Sequence, residues 1–236
     1  MSTSASPESG RGTRNDDTWL IVPLFNESTV VGDVIRGARE TFSKIVCVDD
    51  GSSDDSAAVA RAAGAVVVNH PVNLGQGAAL QTGLTYALGD PAASYFVTFD
   101  SDGQHRTEDA ARMVQRLRTE DLDVVLGSRF LDTPIEAGLL KRLVLKAAVL
   151  FERITTGLRV TDTHNGLRAF SRQGASAIRI QQNRMAHGSE ILQEISRKRL
   201  RYSEEPVHII YTDYSRAKGQ SLWNSVNILN ELFLDR

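Results

Sequence analysis

Residues 45–54 have the sequence IVCVDDGSSD, an apolar and β-branched run that ends in acidic and small polar residues. A short apolar run bounded by turn-forming residues is typical of a strand buried on both faces of a sheet. The same arrangement occurs at residues 19–27, WLIVPLFNE, and at residues 95–105, YFVTFDSDGQH. Amphipathic segments separate these runs. The sequence therefore predicts an α/β fold with a mostly parallel sheet flanked by helices.

The predicted elements alternate along the first half of the chain. Helical spacing and turn residues predict strands at 19–22, 45–48, 65–68, 95–99 and 124–126, and helices at 28–42, 54–63, 76–88 and 107–118. Thr107 is the expected N-cap of the last of these helices. In the second half we expect a long helix over 138–157, a strand over 207–211 and a terminal helix over 220–234.

The first seventeen residues and the overall composition narrow the class of protein. Residues 1–17 are polar and lack the apolar stretch of a signal peptide, which predicts a disordered leader before a single domain, residues 18–236.

The formal net charge of −2 gives no general basic surface for nucleic acid. Cys47 is the only cysteine, which excludes an intramolecular disulfide and a multi-cysteine zinc site. The longest stretch without Asp, Glu, Lys, Arg or His, residues 71–89, contains four glycines and does not suit a transmembrane helix.

Acidic residues follow three of the predicted strands at the point where each strand ends. They are Glu27, Asp49, Asp50, Asp100 and Asp102. Ligands of open parallel sheets bind outside the carboxyl ends of the strands. Clustered carboxylates at such an edge are commonly balanced by a hard divalent cation, which prefers oxygen ligands. Asp100 and Asp102 are therefore candidate ligands of Mg²⁺ or Mn²⁺ bound to a diphosphate.

Other nucleotide-binding signatures do not fit the sequence. No G-x-G-x-x-G follows the first predicted strand, and the sequence contains no G-x-x-x-x-G-K-[ST]. The segment NLGQG at residues 73–77 has the composition of a phosphate-binding helix start, but a tight turn is the favoured interpretation. Residues 53–55 are interpreted as capping residues of the next helix rather than as ligands.

The acidic motifs, in their order and spacing, resemble those of the family 2 inverting glycosyltransferases with the GT-A fold. The motifs are VPLFNE at 22–27, VDDGSSD at 48–54 and DSDGQH at 100–105. The later segments GSR at 127–129, KR at 141–142 and DTHNGLR at 162–168 are similar to the branch of dolichyl- and polyprenyl-phosphate mannosyl- or glucosyltransferases of cell-envelope glycan biosynthesis. The resemblance implies a Rossmann-like nucleotide-sugar-binding half, residues 18–130, and an acceptor half, residues 131–236.

The resemblance also implies roles for individual residues. The residues that match those binding the nucleotide-sugar donor are Pro23, Phe25, Glu27, Val48, Asp50 and Ser101. Lys218 matches a basic loop that closes on the nucleotide. The residues that match the ligands of Mg²⁺ or Mn²⁺ are Asp100, Asp102 and Gln104. Arg129 and Arg142 match residues that face the acceptor phosphate and the donor diphosphate, and with Asp102 they form the expected catalytic set.

The chemistry of the acceptor stays open at this point. A polyprenyl phosphate is already ionised at neutral pH and needs only charge neutralisation, whereas a glycan or small-molecule hydroxyl needs a general base. Asp162 and Glu190 are the candidate bases, with a structural role as the favoured alternative for both. A non-catalytic nucleotide-sugar-binding protein is a third possibility, against which the intact Asp100, Asp102 and Arg129 argue.

Apolar and basic residues alternate at helical spacing over residues 139–159. The pattern fits either a helix that packs on the sheet or an amphipathic helix at a membrane surface, and the resemblance favours the membrane. We therefore expect a cytoplasmic protein, peripheral at the inner face of the cytoplasmic membrane, with a small membrane subunit or a second copy of the chain as a partner. The three histidines outside the motifs, His70, His187 and His208, are interpreted as structural.

Overall fold

The computed structural model describes residues 15–131, 156–163, 165–184 and 186–210. The strands in these residues are Thr18–Leu24 (β1), Lys44–Asp49 (β2), Val66–Asn69 (β3), Tyr95–Thr98 (β4), Val124–Ser128 (β5), Arg168–Ser171 (β6) and Tyr202–Pro206 (β7). The helices are Val31–Thr41 (α1), Ser56–Ala62 (α2), Gln76–Leu88 (α3), Thr107–Thr119 (α4), Arg172–Ala177 (α5) and His187–Arg197 (α6).

The strands form one sheet in the order β3-β2-β1-β4-β6-β5-β7. All neighbouring strands are parallel except for β6, which runs antiparallel to both β4 and β5. The mostly parallel sheet with flanking helices that the sequence predicts is therefore confirmed. The carboxyl ends of β1, β2 and β4 lie side by side at one edge, because Leu24 pairs with Asp49 and Ile21 pairs with Thr98.

Helices cover both faces of the sheet and create two apolar cores. Successive side chains of a strand point to opposite faces. Leu20 and Val22 therefore pack into the cluster that contains α1 and α4, whereas Ile21 packs into the cluster that contains α3 and α6. All seven residues of β1 are buried, which explains the uninterrupted apolar run that predicted this strand.

The structure corrects two predictions in the second half of the chain. The strand predicted at 207–211 lies earlier, at Tyr202–Pro206, and residues 207–210 are not in a strand. Strand β7 was missed because its sequence is YSEEP, and its glutamates are accommodated by polar contacts rather than by apolar packing. Arg116, for example, donates to the backbone carbonyl of Glu204 and to the carboxylate of Glu205. The antiparallel strand β6 was also missed, because it has only four residues and begins with an arginine.

The predicted N-cap of α4 is also wrong. Thr107 is the first residue of α4, the N-cap position belongs to Arg106, and no side chain caps this end of the helix. Glu108 and Asp109 lie in the first turn instead, where negative charge interacts favourably with the helix dipole.

Several predictions fall wholly or largely outside the described residues. They are the helix over 138–157, the terminal helix over 220–234 and most of the leader over 1–17. The last residues of that leader contact the domain: the backbone N–H of Asn15 donates to the carbonyl of Thr41 over 3.0 Å, and Arg118 pairs with Asp17. No helix within the described ranges is both long and apolar enough to cross a membrane.

We expect Gly83→Ala to lower the free energy of unfolding by up to about 2 kcal/mol, because overpacking costs roughly 1–3 kcal/mol and the better helix propensity of Ala offsets about 1 kcal/mol. A Cβ atom at Gly83 on α3 would lie 2.5 Å from Cγ2 of Ile21 and 3.2 Å from Cγ2 of Val48, both stiff side chains of the sheet. Urea unfolding followed by circular dichroism measures the change.

The matched control for this change is Gly37→Ala on α1, where a Cβ atom meets nothing within 4 Å. This variant gains helix propensity without a clash, so we expect it to raise the free energy of unfolding by roughly 0.5–1 kcal/mol. Equal stability of the two variants would contradict the close contact between α3 and β1.

Candidate active site

A cavity of about 390 Å³ lies at the carboxyl ends of β1, β2 and β4. The residues with a predicted donor or metal role that line it are Pro23, Phe25, Glu27, Asp50, Asp100, Ser101 and Asp102. The lining residues without a predicted role are Leu24, Asn73, Gly75, Gln76 and Ala79. The turn before α3 thus contributes a wall of the cavity that the acidic motifs alone did not indicate.

Three of the predicted site residues within the described ranges, Val48, Gln104 and Arg129, lie outside this lining. Val48 lies within β2 with a fully buried side chain, and Gln104 is half-buried beyond the cavity wall. The roles predicted for all three stay predictions. Arg142 and Lys218 lie outside the described residues.

Asp50 is the buried anchor of the turn that precedes α3. Its carboxylate accepts hydrogen bonds from the backbone N–H groups of Leu74 (2.9 Å) and Gly75 (2.7 Å), and Nδ1 of His70 lies 2.7 Å from Oδ1. Hydrogen bonds to an ionised acceptor are stronger than those between neutral groups. Asp50 therefore shapes the cavity wall in addition to lining it.

The segment 73–77 comprises residues 73–75, which form the turn before α3, and the first two residues of α3 itself. Gly75 has φ of +103°, which a residue with a side chain rarely adopts. The N–H of Gly77 donates to the carbonyl of Asn183 over 2.8 Å. Because protein acceptors already bind the N–H groups of Gly75 and Gly77, these groups are not presented to a phosphate.

Asp100 is stabilised in its ionised form. Nε2 of His105 lies 2.9 Å from Oδ2, and the side-chain amide of Gln76 donates to Oδ1 over 3.3 Å. Burial raises the pKa of Asp100, but the hydrogen bond and the positive charge of His105, with the charge of Arg168, outweigh it and hold the pKa below its usual value.

Asp102, two residues further on, has the opposite electrostatics. Burial and the negative charge of Asp100 raise the pKa of Asp102, although the backbone N–H of Gln104 donates to its Oδ1 over 3.0 Å. The charge of Asp102 is thus the less compensated of the two. A neighbouring cation would favour the ionised form of this carboxylate.

The two carboxylates fit a divalent cation of the Mg²⁺ or Mn²⁺ type. In the part of the chain that the structure describes, no three His, Cys, Asp or Glu side chains converge to form a complete protein cage for a metal. Mg²⁺ commonly takes only one or two carboxylates and completes its coordination with water and substrate phosphates. Asp100 and Asp102 would therefore hold the cation jointly with a diphosphate.

Arg129 is held in a bidentate ion pair at the end of β5. Its Nε and Nη2 donate to the two carboxylate oxygens of Asp162 over 2.7 and 2.9 Å, and its backbone N–H also donates to Asp162. Glu204 accepts from the backbone N–H groups of Thr161 (2.7 Å) and Asp162 (3.3 Å), which fixes the segment that carries Asp162. The pair therefore orients the guanidinium plane of Arg129 in advance of any ligand.

The two candidate general bases both have structural partners. Asp162 is committed to Arg129, with its side chain only 2% exposed. The carboxylate of Glu190 accepts from the backbone N–H groups of Gln181 (2.9 Å) and Gln182 (2.8 Å). Both carboxylates therefore have structural partners, which agrees with the structural role favoured for them from the sequence.

The structure adds two charged residues that the sequence analysis did not assign. Arg168 opens β6 and is 4% exposed; burial lowers its pKa to about 10, while the charges of Asp100 and Asp162 oppose this change. Arg168 is therefore a buried cation at neutral pH that offsets both carboxylates.

Asp49 is also buried, and its Oδ1 has no hydrogen-bond partner within the described ranges. The acidic neighbours of Asp49 are the sequence signal for that residue. Arg168 belongs to the motif DTHNGLR at 162–168 but received no role, because the strand that it opens was not predicted.

Comparison with known proteins places this site in context. The family model described as Glycosyl transferase family 2 matches residues 19–178. The UDP-N-acetylglucosamine–dolichyl-phosphate N-acetylglucosaminyltransferase of Methanococcus voltae is 29% identical over 92% of this chain and 94% of its own length. The undecaprenyl-phosphate mannosyltransferase of Micrococcus luteus is 28% identical over 67% of this chain and 68% of its own length.

A solved structure supports the fold. The glucosyl-3-phosphoglycerate synthase of Mycobacterium tuberculosis, in complex with Mg²⁺ and uridine diphosphate, superimposes with a TM-score of 0.66 at 20% identity. The similarity covers 90% of this chain and 77% of the synthase. The sheet and its flanking helices thus match the GT-A fold that the sequence motifs implied.

We expect Asp100→Asn and Asp102→Asn to shift stability in opposite directions at pH 7 without divalent cations. The pKa of Asp102 is raised on folding, so its ionised form costs stability, and the amide removes this cost. The lowered pKa of Asp100 means that its charge stabilises the fold, and its loss costs about 1–3 kcal/mol. Thermal unfolding in EDTA measures both changes.

The pH dependence separates these charge effects from packing effects. The contribution of Asp100 is present above its unfolded pKa of about 3.9 and is lost as the pH falls through its lower folded pKa. Asp33→Asn on α1, where the aspartate side chain is 86% exposed, is the matched control and changes stability little. Destabilisation of the fold by both site substitutions would contradict the opposite pKa shifts.

Proposed function

Since this chain belongs to glycosyl transferase family 2, we propose that it transfers a sugar, with inversion, from a UDP- or GDP-sugar to the phosphate of a polyprenyl lipid. The chain is a glycosyltransferase that uses a nucleotide sugar. The proposal adds the acceptor, the inversion and dependence on a divalent cation. The observation that carries it is the pair Asp100 and Asp102 at the cavity, combined with an oriented Arg129 and the absence of an unengaged candidate base among the described Asp162 and Glu190.

The cavity suits the nucleotide diphosphate part of the donor. Phe25 is 43% exposed at the cavity and offers an apolar surface to a base, while Glu27 and Asp50 offer acceptors to hydroxyl groups. Asp100 and Asp102 would hold Mg²⁺ or Mn²⁺ against the diphosphate. The cation would supply Lewis-acid stabilisation of the negative charge on the leaving phosphate.

The transfer itself requires little proton chemistry from the protein. An oxygen of the acceptor phosphate donates an electron pair to the anomeric carbon, and the bond from that carbon to the oxygen of the β-phosphate breaks. The bonding pair leaves with the nucleoside diphosphate, and attack opposite the leaving group inverts the anomeric centre. Since the acceptor phosphate is already ionised, no general base is needed.

The engaged carboxylates favour this acceptor over a hydroxyl group. A hydroxyl acceptor must lose a proton during the reaction, and a base must reach it. Asp162 and Glu190 are the two candidates from the sequence, and both accept hydrogen bonds from other parts of the protein. A phosphate acceptor instead needs a positively charged neighbour, which Arg129 supplies with a guanidinium suited to phosphate.

A polyprenyl acceptor places the reaction at a membrane surface. The relatives from Methanococcus voltae and Micrococcus luteus carry dolichyl phosphate and undecaprenyl phosphate in their names. We therefore propose that this protein acts at the inner face of the cytoplasmic membrane. Residues 139–159 would contact the lipid, and a small membrane subunit or a second copy of the chain would be a partner.

We expect the protein to move label from one radiolabelled UDP- or GDP-sugar into the organic phase when polyprenyl phosphate and Mn²⁺ are present. EDTA should abolish transfer, and Asp102→Ala should reduce it at least 100-fold, because removal of one electrostatic stabiliser costs about 10²–10³ in rate. Label that passes only to a water-soluble acceptor would contradict the lipid acceptor, and unchanged turnover by Asp102→Ala would contradict the metal site.

We expect Arg129→Lys to lower kcat/KM for the lipid acceptor at least tenfold, a loss of about 1.4 kcal/mol of transition-state stabilisation. The ammonium group of a lysine cannot reproduce the bidentate pair with Asp162, so the positively charged side chain at position 129 loses its fixed orientation. Steady-state kinetics at saturating donor measure the loss. Arg36→Lys on α1, a side chain 62% exposed, is the matched control, and an equal effect of both substitutions would refute the role of Arg129.

A further inference from the structure

We propose that His70 is a positioning residue of the donor site, which acts through Asp50 to set the turn at residues 73–75. The proposal rests on the proposed function in one respect, that the cavity binds the nucleotide part of the donor. His70 itself is not among the residues that line the cavity, so its effect on a ligand must be transmitted by its neighbours.

His70 joins three parts of the fold. It follows β3 directly, and its backbone N–H donates to the carbonyl of Asp49 on β2 over 2.8 Å. Its side chain, 8% exposed, places Nδ1 2.7 Å from Asp50 and Nε2 2.9 Å from the hydroxyl of Thr82 on α3. The imidazole is therefore fixed at both nitrogens between the end of β2 and the first half of α3.

The chemistry of the partners sets the direction of these hydrogen bonds. An ionised carboxylate only accepts, so Nδ1 of His70 carries a hydrogen and donates to Asp50. In the neutral ring, Nε2 then accepts from the hydroxyl of Thr82. Thr82 thus holds the ring at one nitrogen, and the other nitrogen holds one oxygen of Asp50.

With its carboxylate fixed, Asp50 determines the course of the turn. Its two oxygens accept from the N–H groups of Leu74 and Gly75, as described above. The turn also lies very close to the segment that contains Asn183. A Cβ atom at Gly75 would lie only 2.2 Å from the carbonyl oxygen of Asn183. The turn therefore has little freedom to move except by a change at Asp50.

The turn delivers two cavity residues and reaches Asp100. Asn73 and Gly75 line the cavity, and Gln76 at the start of α3 both lines it and donates to Oδ1 of Asp100 over 3.3 Å. A continuous series of contacts thus runs from His70 through Asp50 and the turn to a predicted metal ligand.

The test uses His70→Ala and His70→Asn with two readouts. The amide of Asn can donate to Asp50 in place of Nδ1 but is too short to reach Thr82. We expect His70→Ala to raise the Kd for UDP or GDP with Mn²⁺, measured by calorimetry, and the KM for the donor at least tenfold, with kcat changed less than threefold. His70→Asn should recover most of this loss, and Thr82→Val should produce an intermediate loss.

The second readout does not require a ligand. Hydrogen exchange of the amides of Leu74 and Gly75 should become at least tenfold faster in His70→Ala, since their acceptor is no longer held, while exchange in the strands stays unchanged. His208→Ala, where the side chain is 59% exposed, is the matched control and should change neither exchange nor binding.

The outcomes separate this inference from the proposed function. Wild-type protein that binds neither UDP nor GDP with Mn²⁺ would overturn the donor site and with it both proposals. Wild-type protein that binds the nucleotide while folded His70→Ala binds it equally well would overturn the role of His70 alone. If His70→Ala does not fold, His70→Asn and Thr82→Val decide: unchanged donor KM in both would overturn the proposal.

Discussion

The site depends on the electrostatic cost of bringing carboxylates together at one edge of a parallel sheet. The carboxyl ends of β1, β2 and β4 are adjacent, and each is followed by an acidic segment. Like charges in a partly buried setting repel and lose hydration, so each must be compensated or become protonated. The protein compensates Asp50 with two backbone N–H groups and a histidine, and Asp100 with His105 and the nearby charge of Arg168. Burial and the charge of Asp100 raise the pKa of Asp102, so the need for additional positive charge is concentrated at Asp102.

This distribution assigns different tasks to residues that look alike in the sequence. Asp50 shapes one wall of the cavity. Asp100 is stabilised in its ionised form by neighbouring groups, whereas Asp102 lacks a comparable positive partner among its described contacts. Asp162 is also an aspartate, but it serves to orient the guanidinium of Arg129. The contacts of each carboxylate, rather than its position in a motif, decide its task.

The alternation of strands and helices and the acidic edge followed from the sequence because both are local patterns. Buried strands are continuous apolar runs, and parallel topology places their ends together. The sequence could not reveal the pair of Arg129 with Asp162 or the hydrogen bonds of Asp50 to Leu74 and Gly75, since these partners meet only after the chain has folded. Strand β7 was not predicted for a related reason. Its glutamates have partners that are distant in the sequence, so the hydropathy of the segment does not indicate a strand.

The close approach of the turn before α3 to residues 182–183 has an evolutionary consequence. Cβ atoms at Gly75 and Gly77 would overlap the carbonyl oxygens of Asn183 and Gln182, at 2.2 and 2.0 Å. Backbone atoms cannot be trimmed by substitution, so a larger residue in the turn is tolerated only if the opposing segment retreats. The first and second halves of the sequence must therefore change together at this point. A chimera that joins the first half of one relative to the second half of another would have to preserve this close approach.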